Sequence, residues 1–231
     1  MEPKTYDLPD AALLDDESSY RCMVWEPGFV AVILGQANNL EESVYPEALA
    51  ADQVPVYKRP SGGESVVLSP KTLVISILKR GDKLRSPRTY FQRYNQGIID
   101  ALAQLGVEDL RCEGISDICI GKMKILGSSI YRNKDVVMYH AVLNRGESAE
   151  TFERYLKHPT REPGYRSGRS HAEFVTSLEE RGYRFNSLDI RRAILRKLGP
   201  VPGLPLCRTS KKFDTQSSIR HGTNEKLELP Q

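Results

Sequence analysis

The chain has 231 residues, 39% of them hydrophobic and 27% charged, with a formal net charge of only +3 at pH 7, which suits one large domain without a global basic field for nucleic acid. No apolar run approaches the ~18 residues that a membrane helix needs. Residues 1–14 lack the basic and apolar segments of a secretory signal, so we expect a cytoplasmic protein without nucleic-acid or membrane partners.

The first part of the chain predicts short helices and strands in alternation. The turn at 26–28 separates two apolar runs, Gly35 ends the second of them, and Asn38 or Asn39 provides a helix cap. The predicted elements are a helix at 8–16, strands at 21–25 and 29–34, a helix at 40–52 and a strand at 54–58.

A turn at 60–63, with the sequence Pro-Ser-Gly-Gly, leads from the strand at 54–58 to a second strand at 65–68. We expect these two strands to pair as a hairpin with the glycines at its bend. A further apolar run at 73–78 predicts another strand after a short polar turn.

A long amphipathic helix is the clearest element that follows. Apolar residues recur with a helical period from Arg88 to Leu105, and Gly106 stands where helices commonly end. The further predicted elements are strands at 115–120, 124–131 and 136–143, then helices at 151–157, 170–181 and 187–198. Proline and glycine interrupt regular structure beyond Gly199, so we expect one domain over residues 1–200 and a flexible tail over residues 201–231.

The order of these elements indicates the fold class. Strands come first, one long helix packs on them, more strands follow, and helices end the domain. This order favours a mixed α/β (α+β) fold over strict βαβ alternation. We predict a central mixed, largely antiparallel sheet flanked by helices.

Cysteine and arginine placement bears on the kind of site. The cysteines form no CxxC pair and have no histidine at metal-ligand spacing, so we expect reduced thiols and neither a zinc site nor a disulfide framework. Arginines concentrate in 154–169 and 181–197. That charge could face an acidic partner, although a solvated surface is the commoner arrangement. The cysteines are Cys22, Cys112, Cys119 and Cys207.

The segment from Lys58 to Leu68 contains a basic residue followed by paired glycines. A turn of this kind lets backbone N–H groups approach an anion closely. It is not a P-loop, because the Gly-Lys-[Ser/Thr] ending that binds β- and γ-phosphates is missing. On its own, Ser61-Gly62-Gly63 is also typical of an ordinary hairpin bend.

The segment 114–129 places Lys124 between Gly121 and Gly127, after the carboxylate Asp117. Joining a carboxylic acid to an amine requires activation of the acid, usually as an acyl-adenylate, and balance of the negative charge that develops. A lysine flanked by glycines at a strand edge suits that task, because small residues let a ligand approach the backbone. A single strand lysine is otherwise usually a solvated one.

Together, and in this order, the two segments resemble the catalytic domain of the lipoate–protein ligase family. That family's pattern runs roughly Arg-Arg-x-Ser-Gly-Gly-Gly, then Asn-Asp, then Gly-x-Lys-Ile-x-Gly-Ser. The resemblance spans about residues 8–200, and the segment 163–171 looks like that of a subgroup of lipoate ligase-like proteins. It implies a fold that is shared with biotin ligases and related to class II aminoacyl-tRNA synthetases.

The resemblance also implies roles for particular residues. Lys124 would contact both the acyl carbonyl and the phosphate, and Asp117 would lie by the adenylate and its Mg²⁺. His140 matches the family's His-Gly-Thr-Leu strand only in part, and a histidine inside an apolar strand is more often a core residue than a base. The residues implied in nucleotide and acyl binding, besides Asp117, are Arg59, Ser61, Gly62, Gly63, Ser65, Val66, Val67, Gly127, Ser128 and His140.

Some positions depart from the family pattern. The third glycine of the family motif is Glu64 here, a carboxylate that would repel phosphates unless it turns outward or helps to hold a metal. Ser116 replaces the asparagine of the Asn-Asp pair. We also expect a subgroup without the C-terminal accessory domain that full-length ligases use in adenylate formation.

The implied activity is attachment of lipoate or octanoate to one lysine of a lipoyl carrier domain, through an acyl-adenylate made with ATP and Mg²⁺. The carrier would belong to a 2-oxoacid dehydrogenase complex or be a glycine-cleavage H-type protein. An accessory subunit could take part, and we expect a monomer.

Two alternatives stay open. An ATP-independent octanoyltransferase would use acyl carrier protein and a cysteine thioester, with Cys112 as the candidate nucleophile. A degenerate, non-catalytic binder of lipoyl domains would account for Glu64. Biotin ligation is not expected, because the Arg-Gly-Arg-Gly-Arg-x-Gly loop of that family is missing.

Overall fold

The computed structural model describes residues 2–81 and 86–199, and the tail predicted at 201–231 lies outside these described residues. Within them the chain has the mixed α/β fold that was predicted, with its strands divided between two sheets. The small sheet has the order β1-β4-β3-β5 and the large sheet the order β2-β6-β10-β9-β8-β7. The strands are β1 (Lys4–Thr5), β2 (Tyr20–Trp25), β3 (Ala31–Leu34), β4 (Val56–Lys58), β5 (Val66–Leu68), β6 (Thr72–Arg80), β7 (Leu110–Glu113), β8 (Asp117–Ile120), β9 (Met123–Arg132) and β10 (Val136–Asn144).

Helices connect and cover these strands. They are α1 (Leu40–Ser43), α2 (Pro46–Ala51), α3 (Pro87–Gln104), α4 (Ala149–Tyr155), α5 (His171–Phe174) and α6 (Ser187–Leu198), and a 3₁₀ helix at Ala11–Asp15 precedes β2. None of the helices in the described ranges has the length and apolar character to cross a bilayer.

Helices α3 and α6 pack against each other on one face of the large sheet. Ile98 of α3 and Ile194 of α6 share a buried cluster with Tyr139 of β10. Because side chains alternate along a strand, the neighbours His140 and Val142 face the other side. That second face borders the small sheet and forms the floor of a cavity.

The hairpin predicted between residues 54–58 and 65–68 is wrong. β3 lies between β4 and β5, parallel to the first and antiparallel to the second. All of Ala31–Leu34 is buried, and a strand that is apolar on both faces is favoured inside a sheet. The loop 59–65 therefore crosses the end of β3 and packs on Gly35, where a Cβ would meet the Gly63 carbonyl oxygen.

The helices predicted at 40–52 and 170–181 are interrupted. Val44 ends α1 in extended conformation, and Pro46 begins α2 as its first residue, a position that tolerates proline because its missing N–H would be unpaired anyway. After Phe174 the chain extends, and Val175 bridges to Lys124 of β9. Tertiary strand pairing has replaced the helix that local composition favours.

Two smaller elements also differ from the prediction. The helix predicted at 8–16 is a single 3₁₀ segment. The strand β7 was not predicted, because its central residues Arg111 and Cys112 are both exposed and give no alternating pattern.

Candidate active site

A cavity of about 800 Å³ lies between the loop at 59–66 and the β8–β9 edge of the large sheet. The structure thus brings together two segments that are distant in sequence. The predicted site residues that line this cavity are Arg59, Gly63, Ser65, Val66, Asp117, Lys124, Gly127, Ser128 and His140. Val67 lines an adjoining smaller cavity, whereas Ser61 and Gly62 line neither of the two.

Lys124 and Asp117 form an ion pair at the wall of the cavity. Lys124 Nζ lies 3.0 Å from Asp117 Oδ1, and the Tyr165 hydroxyl donates to Asp117 Oδ2 at 2.7 Å. The Asp117 side chain is 7% exposed and that of Lys124 is 28% exposed. The carboxylate therefore fixes the ammonium group, part of which stays accessible to a substrate anion.

A bulge in β9 directs Lys124 into the cavity. The pairing register with β8 shifts between residues 118 and 119, which leaves Ile125 as an extra residue. Ile125 and Leu126 are both buried in the same cluster, so Lys124 shares the opposite face with Gly127. A Cβ on Gly127 would lie 2.8 Å from Lys124 Nζ, so the position must lack a side chain for the lysine to lie across it.

Arg59 holds the glycine-containing loop in shape. Its Nη2 donates to the Gly62 and Glu64 carbonyl oxygens, each at 2.8 Å, and its Nε donates to the Ser61 hydroxyl at 3.0 Å. Burial lowers the pKa of Arg59 to about 10, which leaves it charged at neutral pH. Its hydrogen bonds within the chain support a positioning role toward the loop.

The loop is also fixed to both sheets. The Ser61 hydroxyl lies 3.0 Å from that of Ser129 on β9, and the Ser61 carbonyl accepts from Gln36 N at 2.9 Å. Gly63 has a φ of +88°, a left-handed conformation that favours glycine. Gly35 is a site residue that sequence reasoning took only for a strand breaker. The one signal it gives is a glycine directly after an apolar strand.

Ser128 supports the turn that precedes Asp117. Its hydroxyl donates to the Ser116 carbonyl oxygen at 2.6 Å. Ser116 in turn donates its own hydroxyl to Asp117 Oδ1 at 3.2 Å. Both serines therefore help to place the carboxylate.

Glu64 stays close to the cavity and does not turn away from it. It lines both cavities, and its Oε2 accepts weakly from Asn38 Nδ2 at 3.4 Å. Burial raises its pKa above the ordinary value, partly offset by the charge of Arg59. A carboxylate thus faces the region where the resemblance implies phosphates.

His140 belongs to a buried polar cluster at the cavity floor. Its Nε2 contacts Asp10 Oδ2, which also accepts from the Ser76 hydroxyl at 2.5 Å, and Tyr6 donates to Asp10 Oδ1 at 2.8 Å. Burial alone would raise the pKa of Asp10, but His140 and these hydrogen bonds hold it below its ordinary value. Asp10 is a missed residue, because no local pattern links it to a histidine on β10.

A second, smaller cavity of about 150 Å³ opens beside Lys124. Its walls are largely apolar, and Lys124 and Gly127 line it together with the larger cavity. An ammonium group therefore stands where an apolar compartment meets a polar one. The apolar lining residues are Val66, Val67, Ile125, Leu126, Val142, Phe152, Leu156, Phe174 and Val175.

The segment 157–171 covers this junction. Pro159, Thr160 and Arg161 contribute to the cavity walls, and Tyr165 binds Asp117. Only its part at 163–171 was singled out in the sequence, as a subgroup feature. Its contacts depend on tertiary folding of an irregular loop, for which periodicity gives no signal.

Cys112 and Cys119 lie in unreactive surroundings. Cys112 is exposed and lines neither cavity, and partial desolvation together with the charge of Glu113 raises its pKa. Burial also raises the pKa of Cys119 to about 11. Neither group is held as a thiolate at neutral pH.

In the described ranges, no group of three or more His, Cys, Asp or Glu side chains could hold a metal ion. Asp117 could offer one carboxylate oxygen to Mg²⁺. One or two carboxylates plus substrate phosphates is a common way for proteins to hold that ion.

Comparison with known proteins places this geometry in a family. The model of the lipoyl protein ligase A/B catalytic domain matches residues 11–199. Lipoate–protein ligase 1 of Staphylococcus aureus is 28% identical over 127 residues, 55% of this chain and 38% of that protein. Lipoate-protein ligase LplJ of Bacillus subtilis is 27% identical over 132 residues, 56% of this chain and 38% of that protein. The match thus spans well under half the length of these curated relatives.

Solved structures share the fold. A bi-partite lipoate protein ligase of Thermoplasma acidophilum, described with its E2 lipoyl domain, has a TM-score of 0.71 and 20% identity over 85% of this chain and 82% of that one. A lipoate-protein ligase A bound with ATP has a TM-score of 0.70 and 19% identity over 85% and 84%. With the family model covering nearly all the described residues, the chain belongs to the lipoyl protein ligase A/B catalytic domain family.

Proposed function

We propose that this protein attaches a lipoyl or octanoyl group to one lysine of a lipoyl carrier domain, through an acyl-adenylate made from the free acid and ATP. One observation carries the proposal. The Lys124 ammonium, fixed 3.0 Å from Asp117, stands where an apolar cavity meets a larger polar one. That is the position a cation needs to contact an acyl phosphate anhydride with an apolar tail.

The chemistry has two steps. A carboxylate oxygen of the acid attacks the α-phosphorus of ATP, and pyrophosphate leaves. The amine of the carrier lysine then attacks the acyl carbonyl, the bond to AMP breaks, and the amine loses a proton. Negative charge develops on the carbonyl oxygen and on the departing phosphate, and a prepositioned ammonium stabilises both.

The residues of the candidate site have distinct tasks in this proposal. Lys124 contacts the carbonyl and phosphate oxygens, while Asp117 and Tyr165 keep the ammonium in place. Gly63, Glu64 and Ser65 of the loop face the nucleotide in the larger cavity, and the small cavity takes the acyl chain. Mg²⁺ held by Asp117 and the phosphates would supply further positive charge during the first step.

The names of similar proteins support lipoate as the acid and a lipoyl domain as the acceptor. The curated relatives are named lipoate–protein ligases, one neighbouring structure is described with its E2 lipoyl domain and another as bound with ATP. We extend these descriptions to this chain as a proposal, with a 2-oxoacid dehydrogenase carrier or an H-type protein as acceptor. The archaeal neighbour is called bi-partite, which supports the search for a separate accessory subunit.

The thioester alternative is less well supported. It needs an activated thiol next to the acyl carbonyl, but the exposed Cys112 lies outside both cavities, and partial desolvation and the charge of Glu113 raise its pKa. Glu64 remains the observation that favours a non-catalytic binder, because it faces the expected phosphate region.

Intact-mass measurement of a lipoyl domain tests the proposal. The domain is incubated with this protein, lipoate, ATP and Mg²⁺, and parallel reactions omit ATP or replace lipoate and ATP with octanoyl acyl carrier protein. We expect one lipoyl group per domain only when ATP is present. Modification from the acyl carrier protein alone would support the thioester route, and an unmodified domain with any donor, including preformed lipoyl-adenylate, would support the binder.

A further inference from the structure

Arg166 carries a buried guanidinium nitrogen to which no described residue offers an acceptor. The residue is 4% exposed, and its Nη2 is buried without a hydrogen-bond partner among residues 2–81 and 86–199. Its Nε donates to the Arg169 carbonyl oxygen at 2.9 Å and lies 3.5 Å from Glu162 Oε2. A buried charged donor without an acceptor is costly, so an unpaired one that lines a cavity indicates a ligand.

The neighbouring Arg169 shows what a purely structural arginine looks like here. It lies against the same Phe174 ring, 5.1 Å from the centroid. Its three side-chain nitrogens donate to backbone carbonyl oxygens of four residues, at 2.8 to 3.3 Å. Arg166 lies against the same Phe174 ring, but its Nη2 donates to no described residue.

The same residue borders the small apolar cavity. Arg166 lines that cavity together with Lys124. The Arg166 Cζ lies 4.7 Å and the Lys124 Nζ 5.9 Å from the centroid of the Phe174 ring. Three cations therefore lie at this ring, and two of them, Arg166 and Lys124, line the cavity, whose wall area is mostly apolar.

This arrangement selects a ligand with an anionic head and an apolar tail. A guanidinium binds a carboxylate through directed, charge-assisted hydrogen bonds, whereas an ammonium acts as a point charge. Asp117 already neutralises part of the charge of Lys124. Glu162 lies near Arg166 Nε, but no described residue accepts from Nη2.

We propose that Arg166 Nη2 binds the carboxylate of a free medium-chain carboxylic acid and so makes this cavity selective for the acid over neutral acyl derivatives. The inference rests on the proposed function, because it names how the acid is recognised before activation. It adds an anchor for the carboxylate that is separate from Lys124.

Calorimetric titration of the full chain with octanoate and with octanamide, without ATP, tests this. We expect the wild type to prefer the acid, and Arg166→Met to lose roughly tenfold or more in octanoate affinity while octanamide binding stays unchanged. Arg192→Met serves as the matched control, since Arg192 is an exposed arginine of α6 that lines neither cavity. This control should retain the preference for the acid.

Several outcomes would overturn the inference. These are an unchanged octanoate affinity in Arg166→Met, an equal loss for acid and amide, an equal loss in Arg192→Met, or a wild type that binds neither ligand. If Arg166→Met fails to fold, Arg166→Lys takes its place; it should lose part of the acid preference, and full retention would contradict us. A wild type that binds the acid through Arg166 but never modifies a lipoyl domain would sink the proposed function and leave this site standing.

Discussion

At the scale of single residues, Gly127 controls where the Lys124 ammonium lies. A Cβ at this position would approach Lys124 Nζ and Cε to 2.8 Å, and the flexible end of the lysine would move aside. We predict that Gly127→Ala lowers the rate of acyl transfer about tenfold or more, because small displacements of a catalytic group are costly. The free energy of unfolding should change by less than about 1 kcal/mol.

Transfer assays and chemical denaturation of the same preparations check this prediction. Gly28→Ala is the control, because a Cβ on Gly28 would meet no described atom within 4 Å and this residue lines neither cavity. Equal transfer by wild type and Gly127→Ala would show that the position of the lysine does not matter.

Glu64 gives a prediction with a defined pH dependence. Burial raises its pKa above the ordinary 4.5, so the folded state holds the proton more tightly than the unfolded state. The wild type therefore loses stability as pH rises from about 4.5 through the folded pKa. Glu64→Gln lacks this loss and should be the more stable protein at pH 7, with the difference vanishing near pH 4.

Urea unfolding of both proteins from pH 4 to 8 measures that difference. The same substitution should tighten ATP binding about fivefold, because it removes a negative charge from the cavity wall. A wild type that is more stable than Glu64→Gln at pH 7 would show that the carboxylate is held by favourable contacts instead.

Sequence reasoning found the residues that short motifs contain and missed those that only the fold assembles. Lys124 and Asp117 lie close together in the chain, so their motif could be recognised from the sequence. Asp10 meets His140 across most of the chain length, and Tyr165 lies in an irregular loop. No local spacing encodes such contacts.

At the scale of elements, the loop at 59–65 depends on a close approach of two backbones. A Cβ on Gly35 would lie 1.9 Å from the Gly63 carbonyl oxygen. Backbone atoms cannot move aside as easily as the end of a flexible side chain. We predict that Gly35→Ala displaces the loop, lowers the free energy of unfolding by about 2 kcal/mol and weakens ATP binding.

Denaturant unfolding and nucleotide titration measure the two effects. Gly28→Ala is the matched control, since a Cβ there would meet nothing within 4 Å. An unperturbed Gly35→Ala protein would mean that the loop and the end of β3 do not need this contact.

The elements that could be predicted are those with strong periodicity. Helices α3 and α6 and the strands β6, β9 and β10 follow their patterns closely. The hairpin at 54–68 was wrong, because local turn chemistry does not reveal that β3 inserts between its two strands. The bulge in β9 was equally hidden, since a single extra residue leaves the apolar run unchanged.

At the scale of the whole molecule, Asp10 ties the N-terminal segment to the large sheet. The carboxylate is fully buried and contacts Ser76 of β6 and His140 of β10. We predict that Asp10→Asn lowers the free energy of unfolding by about 3 kcal/mol at pH 7, because it breaks a buried charged cluster.

This effect should fade in acid. The net shift lowers the Asp10 pKa below the ordinary 3.8, so its ionised form stabilises the fold above about pH 4 and that stabilisation is lost as pH falls through the folded pKa. Unfolding experiments at several pH values check both points. An Asp10→Asn protein as stable as the wild type at pH 7 would contradict this account of the cluster.

The overall architecture was predictable because its motifs resemble a known family, and the family match covers residues 11–199. The division of the strands into two sheets was not predictable. Neither was the cavity between the loop of the small sheet and the edge of the large one. That arrangement arises from long-range pairing, which a single sequence specifies only through the complete fold.

The central claim is that the Lys124 ammonium stabilises an acyl-adenylate in this cavity. In the most direct measurement, wild type and Lys124→Met each receive chemically prepared lipoyl-adenylate, and the intact mass of a lipoyl domain is followed. Because the adenylate is already formed, no accessory subunit is needed. We predict that the wild type adds one lipoyl group and that folded Lys124→Met adds none above the uncatalysed rate. Equal transfer by the two proteins would contradict the claim.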